Sequence, residues 1–274
     1  MAGAELSEYV PGRPHPALSR HVVRYGGYRE YSAVPLCRRQ VPTGTCTLIL
    51  GFGPVLRMHG PAGSSTAASF LAGMHDAAVV TEFCGGQHGL QVDLTPLGVY
   101  ELLGRPMPEL TNVTPLVDEL DIPELATLPE RLAADPGWPQ RFARVDAVLR
   151  RRLDAARRQP DPEVRWAWHR LVRTGGAVGV QQLAEETGWS RRHLLTRFRS
   201  QVGLAPKPAA RVLRLQRAAT MLVPTMADGG PGTAVRLPLA DVAASCGYAD
   251  HAHLVREFRA LAGCTPTQYL AGWG

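Results

Sequence analysis

Two stretches of this 274-residue chain resemble each other, and each sets arginine into a short segment. The first, LAEETGWSRRHLLTRFRSQVGLAP, runs from Leu183 to Pro206. The second, VAASCGYADHAHLVREFRALAGCTP, runs from Val242 to Pro266. An arginine on the exposed side of a helix can donate two hydrogen bonds to guanine, while other arginines and helix N-termini hold phosphates. That chemistry is recognition of a polyanion, with no bond made or broken. Other candidates offer less. His75, Cys84 and His88 are the nearest approach to a metal or thiol sensor, but they lie among Gly73, Gly85, Gly86 and Gly89 without regular ligand spacing. Structural or loop roles are expected of them. No adjacent cation marks Cys84 as a redox thiol. No nucleophile elbow, phosphate loop or paired metal-carboxylate motif is present, so no enzyme, metal or cofactor is expected.

Charge follows the same division. Residues 1–164 hold 16 Arg and 18 Asp or Glu, a net −2, whereas residues 165–274 hold 14 Arg or Lys and 6 Asp or Glu, a net +8. A basic final third on a slightly acidic front suggests a polyanion-binding module joined to something else. Lys207 is the only lysine, and the arginine bias with many Ala, Gly and Pro reads as a codon effect of a GC-rich genome. The five cysteines (Cys37, Cys46, Cys84, Cys246, Cys264) form no C-x-x-C pair, which suits reduced thiols. Cys246 and Cys264 sit in apolar contexts and are expected in the core. No apolar run of about 18 residues exists, and MAGAELSEYV lacks a basic n-region. A cytoplasmic chain without membrane contact is expected.

The elements that must position these groups follow from periodicity. Residues 1–94 read as strand-rich: Cys46–Leu50, Ala78–Phe83 and the alternation Leu90–Leu94 are separated by Gly and Pro clusters, with Gly60–Ser69 a small-residue loop. Thr95-Pro96 caps a short helix that Gly104 can close. Residues 105–137 are Pro-punctuated and hold short helices. Phe142, Val145, Leu149 and Leu153 mark an amphipathic helix, either a dimer face or packed on its own domain. Gln159-Pro160-Asp161-Pro162 breaks it. Beyond lies wholly helical pattern, with Val164, Trp168, Leu171 and Val172 on one face, and Trp166 and Trp168 as packing anchors.

The two basic segments are internal copies. Gly188 aligns with Gly247, Trp189 with Tyr248, Leu194 with Leu254, Phe198 with Phe258, Gly203 with Gly263 and Pro206 with Pro266. The second copy has one extra turn residue. In the first, Val180, Leu183, Ala184 and Thr187 form one face of a short helix, Gly188 ends it, and Ser190 caps the next, whose buried side is Leu194, Phe198 and Val202. In the second the same parts are Leu239, Val242, Ala243 and Cys246, then Gly247, the Asp250 cap, Leu254 and Phe258. Thr265-Pro266 starts a further helix. Two helices joined by a tight Gly turn, the second with a basic outer face, give the helix-turn-helix layout. Ala209 to Leu222 forms a long helix between the copies.

These residues carry a resemblance. The motifs Leu183-Ala184…Gly188-Trp189-Ser190…His193-Leu194…Phe198-Arg199…Gly203-Leu204…Pro206, Leu213–Ala218, and Val242-Ala243…Cys246-Gly247-Tyr248…Leu254…Glu257-Phe258-Arg259…Gly263…Thr265-Pro266…Tyr269 resemble the DNA-binding domain of the AraC/XylS family of bacterial transcription regulators. The resemblance implies that Arg191–Ser200 and His251–Leu261 read DNA. Its base-facing positions are Arg191, Arg192, Leu195 and Thr196 in the first helix, and His251, Ala252, Val255 and Arg256 in the second. Thr196 stands where the family often has arginine, a role that Arg197 or Arg192 takes over. The segment Pro224–Arg236 is longer and richer in Gly and Pro than the usual linker. The implied fold class is α+β: a strand-rich N-terminal domain, in the wider family often a small β-barrel, then an all-α double helix-turn-helix domain. The domains are 1–158, a sensor or dimerisation domain that Gly86–Gly89 and Asp93–Gly98 liken to other such regulators; a linker at 159–162; and 163–274, with units at 180–202 and 239–262. The implied partners are double-stranded DNA, RNA polymerase, a small-molecule effector and a second copy. The rivals are a DNA-repair alkyl-transfer protein, which needs a cysteine-rich front zinc site, and a helical module that binds a protein partner.

Overall fold

The computed structural model describes residues 6–223 and 237–271; all of Pro224–Arg236 lies outside them. Seven strands form one antiparallel sheet: β1 Leu6–Gly12, β2 Val22–Gln40, β3 Cys46–Gly51, β4 Leu56–Gly60, β5 Gly63–Ala67, β6 Phe70–Ala72 and β7 Val79–Leu94. The order is β1-β2-β7-β3-β6, with a β4–β5 ribbon attached to β7. β7 is the spine, because β2, β3 and β4 all pair with it. On β3, Cys46, Leu48 and Leu50 alternate inward, and Leu90, Val92 and Leu94 of β7 meet them in the core. That alternation is what the sequence pattern predicts for a strand with one buried face.

Three expectations are corrected here. The sheet is open: β1 and β6 each pair along one side among the described residues, so no barrel closes. Helices cover the face that closure would otherwise bury. Phe142 stacks on Tyr25 with centroids 6.0 Å apart, and the Trp138 ring lies over Gly27. Gly60–Ser69 is a ribbon and not a loop, because its Gly and Ser residues have weak strand propensity but β4 finds β7 as a partner. Finally, the runs read at 78–83 and 90–94 are, from Val79 on, parts of a single strand, β7.

The helical elements agree more closely with the sequence. Thr95 Oγ1 accepts from the Gly98 N–H at 3.0 Å to start α1, Pro96–Leu103, and Gly104 ends it. Short turns at 107–110 and 117–120 precede α2 Pro123–Ala126, α3 Leu128–Ala134 and the amphipathic α4 Trp138–Asp154. Among the described residues seven helices follow: α5 Pro162–Arg173, α6 Val180–Thr187, α7 Arg191–Val202, α8 Pro206–Leu222, α9 Leu239–Ser245, α10 His251–Ala262 and α11 Pro266–Ala271. In α5, Val164, Trp168 and Leu171 are buried, but Val172 and Trp166 are 47% and 41% exposed. Each residue turns about 100° from the last, which carries Val172 and Trp166 off the buried stripe; Trp166 is no packing anchor.

One continuous core runs from the sheet through α1–α5 into α6, α7 and the first half of α8. A second core joins Leu215, Ala218 and Leu222 of α8 to Val242, Leu254, Phe258 and Tyr269.

Candidate nucleic-acid interface

Each basic segment folds as two helices with a tight turn. α6 ends at Gly188 with φ +70°, and the second turn holds Gly247 at φ +72°; a side chain at either would be strained. Ser190 Oγ accepts from the His193 N–H at 3.3 Å, and Asp250 Oδ1 accepts from the His253 N–H at 2.6 Å. The Asp250 carboxyl is held below its ordinary value, first by that backbone hydrogen bond and then by the charge of Arg256. Trp189 meets His193 edge-on at 4.5 Å, and Tyr248 meets His253 edge-on at 5.4 Å. The extra residue, Ala249, donates its N–H to His253 Nδ1 at 3.3 Å. The insertion is therefore absorbed inside the turn, and the helix after it keeps its cap.

Leu194 and Phe198 anchor α7, and Leu254 and Phe258 anchor α10; all four are fully buried. Their opposite faces are open. Arg191, Arg192 and Thr196 are exposed and Leu195 is half-buried; His251 and Arg256 are exposed, while Ala252 and Val255 are half-buried. Thr196 Oγ1 donates to the Arg192 carbonyl at 3.1 Å, which turns its methyl group outward. Arg199 and Arg259, exposed in the last turn of each helix, extend these stripes at i+7 from Arg192 and i+3 from Arg256. The sequence names both only as motif residues within the two segments, although their equal offset from the two phenylalanines marks them as a pair.

Arg197 stands apart from the stripe. Its Nε and Nη2 donate to Asp161 at 2.7 and 2.8 Å. Asp161 also accepts from Gln201 Nε2 at 2.7 Å, and its N–H donates to Gln201 Oε1 at 2.8 Å. Gln201 is fully buried. The Arg197 hydrogen bond chiefly holds the Asp161 carboxyl below its ordinary value of 3.8. Of the two guanidinium groups expected to substitute for the missing arginine, that of Arg197 is thus engaged to the segment before α5, whereas Arg192 is exposed. At the equivalent place in α10, Glu257 accepts from Arg211 of α8 at 2.7 and 3.1 Å. Burial pushes the Glu257 carboxyl up, but the Arg211 hydrogen bonds and charge more than offset it.

The front domain reaches the C-terminal ends of both helices. Thr111 Oγ1 donates to the Gly203 carbonyl at 3.1 Å, and Arg39 Nη1 donates to the Ala262 carbonyl at 3.2 Å. A cation at a helix C-terminus is favourably placed against its dipole. The Gly44 N–H donates to Gln216 Oε1 of α8 at 2.8 Å.

His75, Cys84 and His88 have separate surroundings. His88 packs against Phe52 and Trp138 at 4.3 and 5.7 Å, Cys84 is exposed, and His75 is buried beside a cleft. Among the described residues, no group of three or more His, Cys, Asp or Glu is placed to hold a metal. Nor is any helix among them long and apolar enough to cross a membrane.

Comparison with known proteins adds to this geometry. Residues 183–272 match the family described as a helix-turn-helix domain; a search of curated proteins finds no match. The fold over nearly the whole chain is similar to that of ToxT from Vibrio cholerae, with a TM-score of 0.52 at 10% identity, covering 90% of this chain and 97% of that one. Wild-type ToxT from strain SCE256 with an unsaturated fatty acid bound gives a TM-score of 0.52 at 9% identity, covering 94% and 96%. A probable AraC family transcriptional regulator from Rhodopseudomonas palustris CGA009 is 25% identical over 40% of this chain and 96% of that chain, with a TM-score of 0.32. Residues 183–272 thus form a helix-turn-helix domain, and the fold of the chain as a whole is similar to that of ToxT.

Proposed function

We propose that α7 and α10 enter successive major-groove segments on one face of double-stranded DNA. The carrying observation is repetition: two capped helices, each anchored by a buried phenylalanine, each turn an arginine-bearing face outward. Arg191, Arg192, Leu195 and Thr196 read bases from the first helix, and His251, Ala252, Val255 and Arg256 from the second. Arg199 and Arg259 hold phosphates. Arg197 acts as a positioning residue, a role supported by its pair with Asp161. Residues 1–158 sense a small molecule, 159–162 link, and 163–274 bind DNA. Likeness in fold to ToxT, which is seen with a fatty acid bound, supports an effector site in the front domain. The protein acts in the cytoplasm by binding and not by catalysis, with RNA polymerase and a second copy as its protein partners.

Selection from a random DNA pool, followed by footprinting, tests this. Two protected patches about 10 bp apart are expected, with affinity falling steeply between about 50 and 200 mM salt. Failure to enrich any sequence would sink the reading.

A further inference from the structure

The two cores divide along α8. Val212 and Leu213 belong to the core shared with the sheet, and Leu215, Ala218 and Leu222 to the core of the second unit. Leu194 and Phe198 of α7 lie in the shared core, so the first unit is fixed to the front domain by packing. The second unit has no such continuity. A body held along one helix can still swing as that helix bends. An attachment away from the helix axis would remove the freedom.

The connection between β2 and β3 supplies one. Its base is tied into the sheet: Arg39 pairs with Val80 and Gln40 with Val79 of β7, and Gln40 Nε2 donates to Thr81 Oγ1 at 3.2 Å. Pro42, whose ring fixes φ, is buried, and the Thr43 and Thr45 hydroxyls meet at 2.9 Å. Three contacts lead from this braced segment to the second unit and to the helix that carries it. The Gly44 N–H donates to Gln216 Oε1 of α8 at 2.8 Å. The approach is close, because a Cβ on Gly44 would fall 2.5 Å from Leu213 Cδ2.

Val41 packs against the second core, and among the described residues it is the one front-domain side chain that does so. Arg39 Nη1 donates to the Ala262 carbonyl at 3.2 Å, where a cation meets the negative end of the α10 dipole. Residues 39–44 therefore touch α8 where the two cores divide and α10 where it ends. These contacts lie on two different helices, so together they resist rotation of the second unit about α8.

We infer that Arg39 and Gln216 are positioning residues for α10: the β2–β3 connection pins the second unit to the sheet, and the front domain shares with α8 in setting the angle between the two reading helices. The pinning stands on these contacts alone; its effect on DNA rests on the groove reading proposed above. The test uses the full chain, the DNA recovered by selection, and the same DNA with one base pair inserted between its halves. The insertion turns the second half-site by about 35°. Wild type should prefer the original spacing by at least about tenfold. Arg39→Ala combined with Gln216→Ala should cut that preference to about threefold or less, since two hydrogen bonds no longer resist the turn. Arg39→Lys combined with Gln216→Glu keeps a cation and an acceptor and should retain the preference. An alanine variant that weakens both spacings alike has lost stability and not position, which overturns the inference. A conservative variant as relaxed as the alanine one does so too. Hydrogen exchange without DNA tests the pinning by itself. In the alanine variant the amides of α9–α11 should exchange a few-fold faster, with those of α7 unchanged. Unchanged exchange in α10 overturns the pinning, whatever the DNA results. Faster exchange in α10 with no spacing preference in wild type upholds the pinning and overturns the groove reading, so the two failures are distinct.

Discussion

The two helix-turn-helix units share a skeleton down to single side-chain pairs, yet they are fastened in different ways. In both, the turn aromatic meets the third residue of the recognition helix, His193 or His253. The seventh residue is where they part. Arg197 is tied to Asp161, on the chain arriving from the front domain, whereas Glu257 is tied to Arg211 on the helix between the units. The same position carries opposite charges, and each has found its counter-ion. Phe198 lies in the core that continues into the front sheet, while Phe258 lies in a core of its own. Duplication has kept the parts that make a groove-reading helix and left the fastening free to diverge. The front domain grips the first unit through core, junction and helix end.

Cutting the anchors breaks the comparison hardest. Phe198→Ala and Phe258→Ala should each cost about 3–5 kcal/mol. Hydrogen exchange should show the first loosening the sheet as well as α7, and the second loosening only the second half of α8 and α9–α11; protection lost from the sheet in Phe258→Ala would erase the distinction. Next come the reading groups. Arg192→Ala and Arg256→Ala should each lose about 1–3 kcal/mol of operator binding, with urea midpoints nearly unchanged. Asp161→Asn keeps one oxygen for buried Gln201 but removes the charge and sets an NH2 against Arg197, and should cost about 1–2 kcal/mol of stability, with footprint protection lost at the half-site under α7. Arg197→Ala should weaken operator binding no more than Asp161→Asn does. A larger loss would return Arg197 to the base-reading set.

Acid sharpens the same contrast. Asp161 and Glu257 both have lowered carboxyl pKa values in the fold. Their contribution is therefore present above the unfolded values and lost as pH falls through the folded ones. Both fastenings should hold at neutral pH and fail below about pH 4, and Asp161→Asn should flatten part of that decline in urea midpoints. The smallest effect belongs to the first cap: Ser190→Ala should cost about 1 kcal/mol, read by thermal denaturation.

Much of this architecture is legible in the residues themselves. Gly188 and Gly247, the caps Ser190 and Asp250, and the two phenylalanines announce the units, because tight turns and caps impose local chemistry on single positions. Fastenings leave no such mark. Asp161 lies 36 residues from Arg197 and 40 from Gln201, and helical periodicity cannot separate an arginine facing DNA from one facing a neighbouring helix. Sheet closure was unreadable for a related reason: whether β1 meets β6 depends on what covers the sheet, and that covering, Trp138 and Phe142, comes from a helix far along the chain. The β4–β5 ribbon hid behind its own glycines and serines, since its pairing is dictated by β7 and not by its own propensity.

The helix between the units carries a last consequence. Val212 and Leu213 of α8 belong to one core, and Leu215, Ala218 and Leu222 to the other. A residue inserted between those two groups would leave each core its own contacts but turn everything beyond by about 100° and advance it about 1.5 Å. On the proposed reading, the second head would then be out of phase with the duplex: single substitutions on α7 or α10 would change the letters of an operator, and the length of α8 would set the interval between its halves.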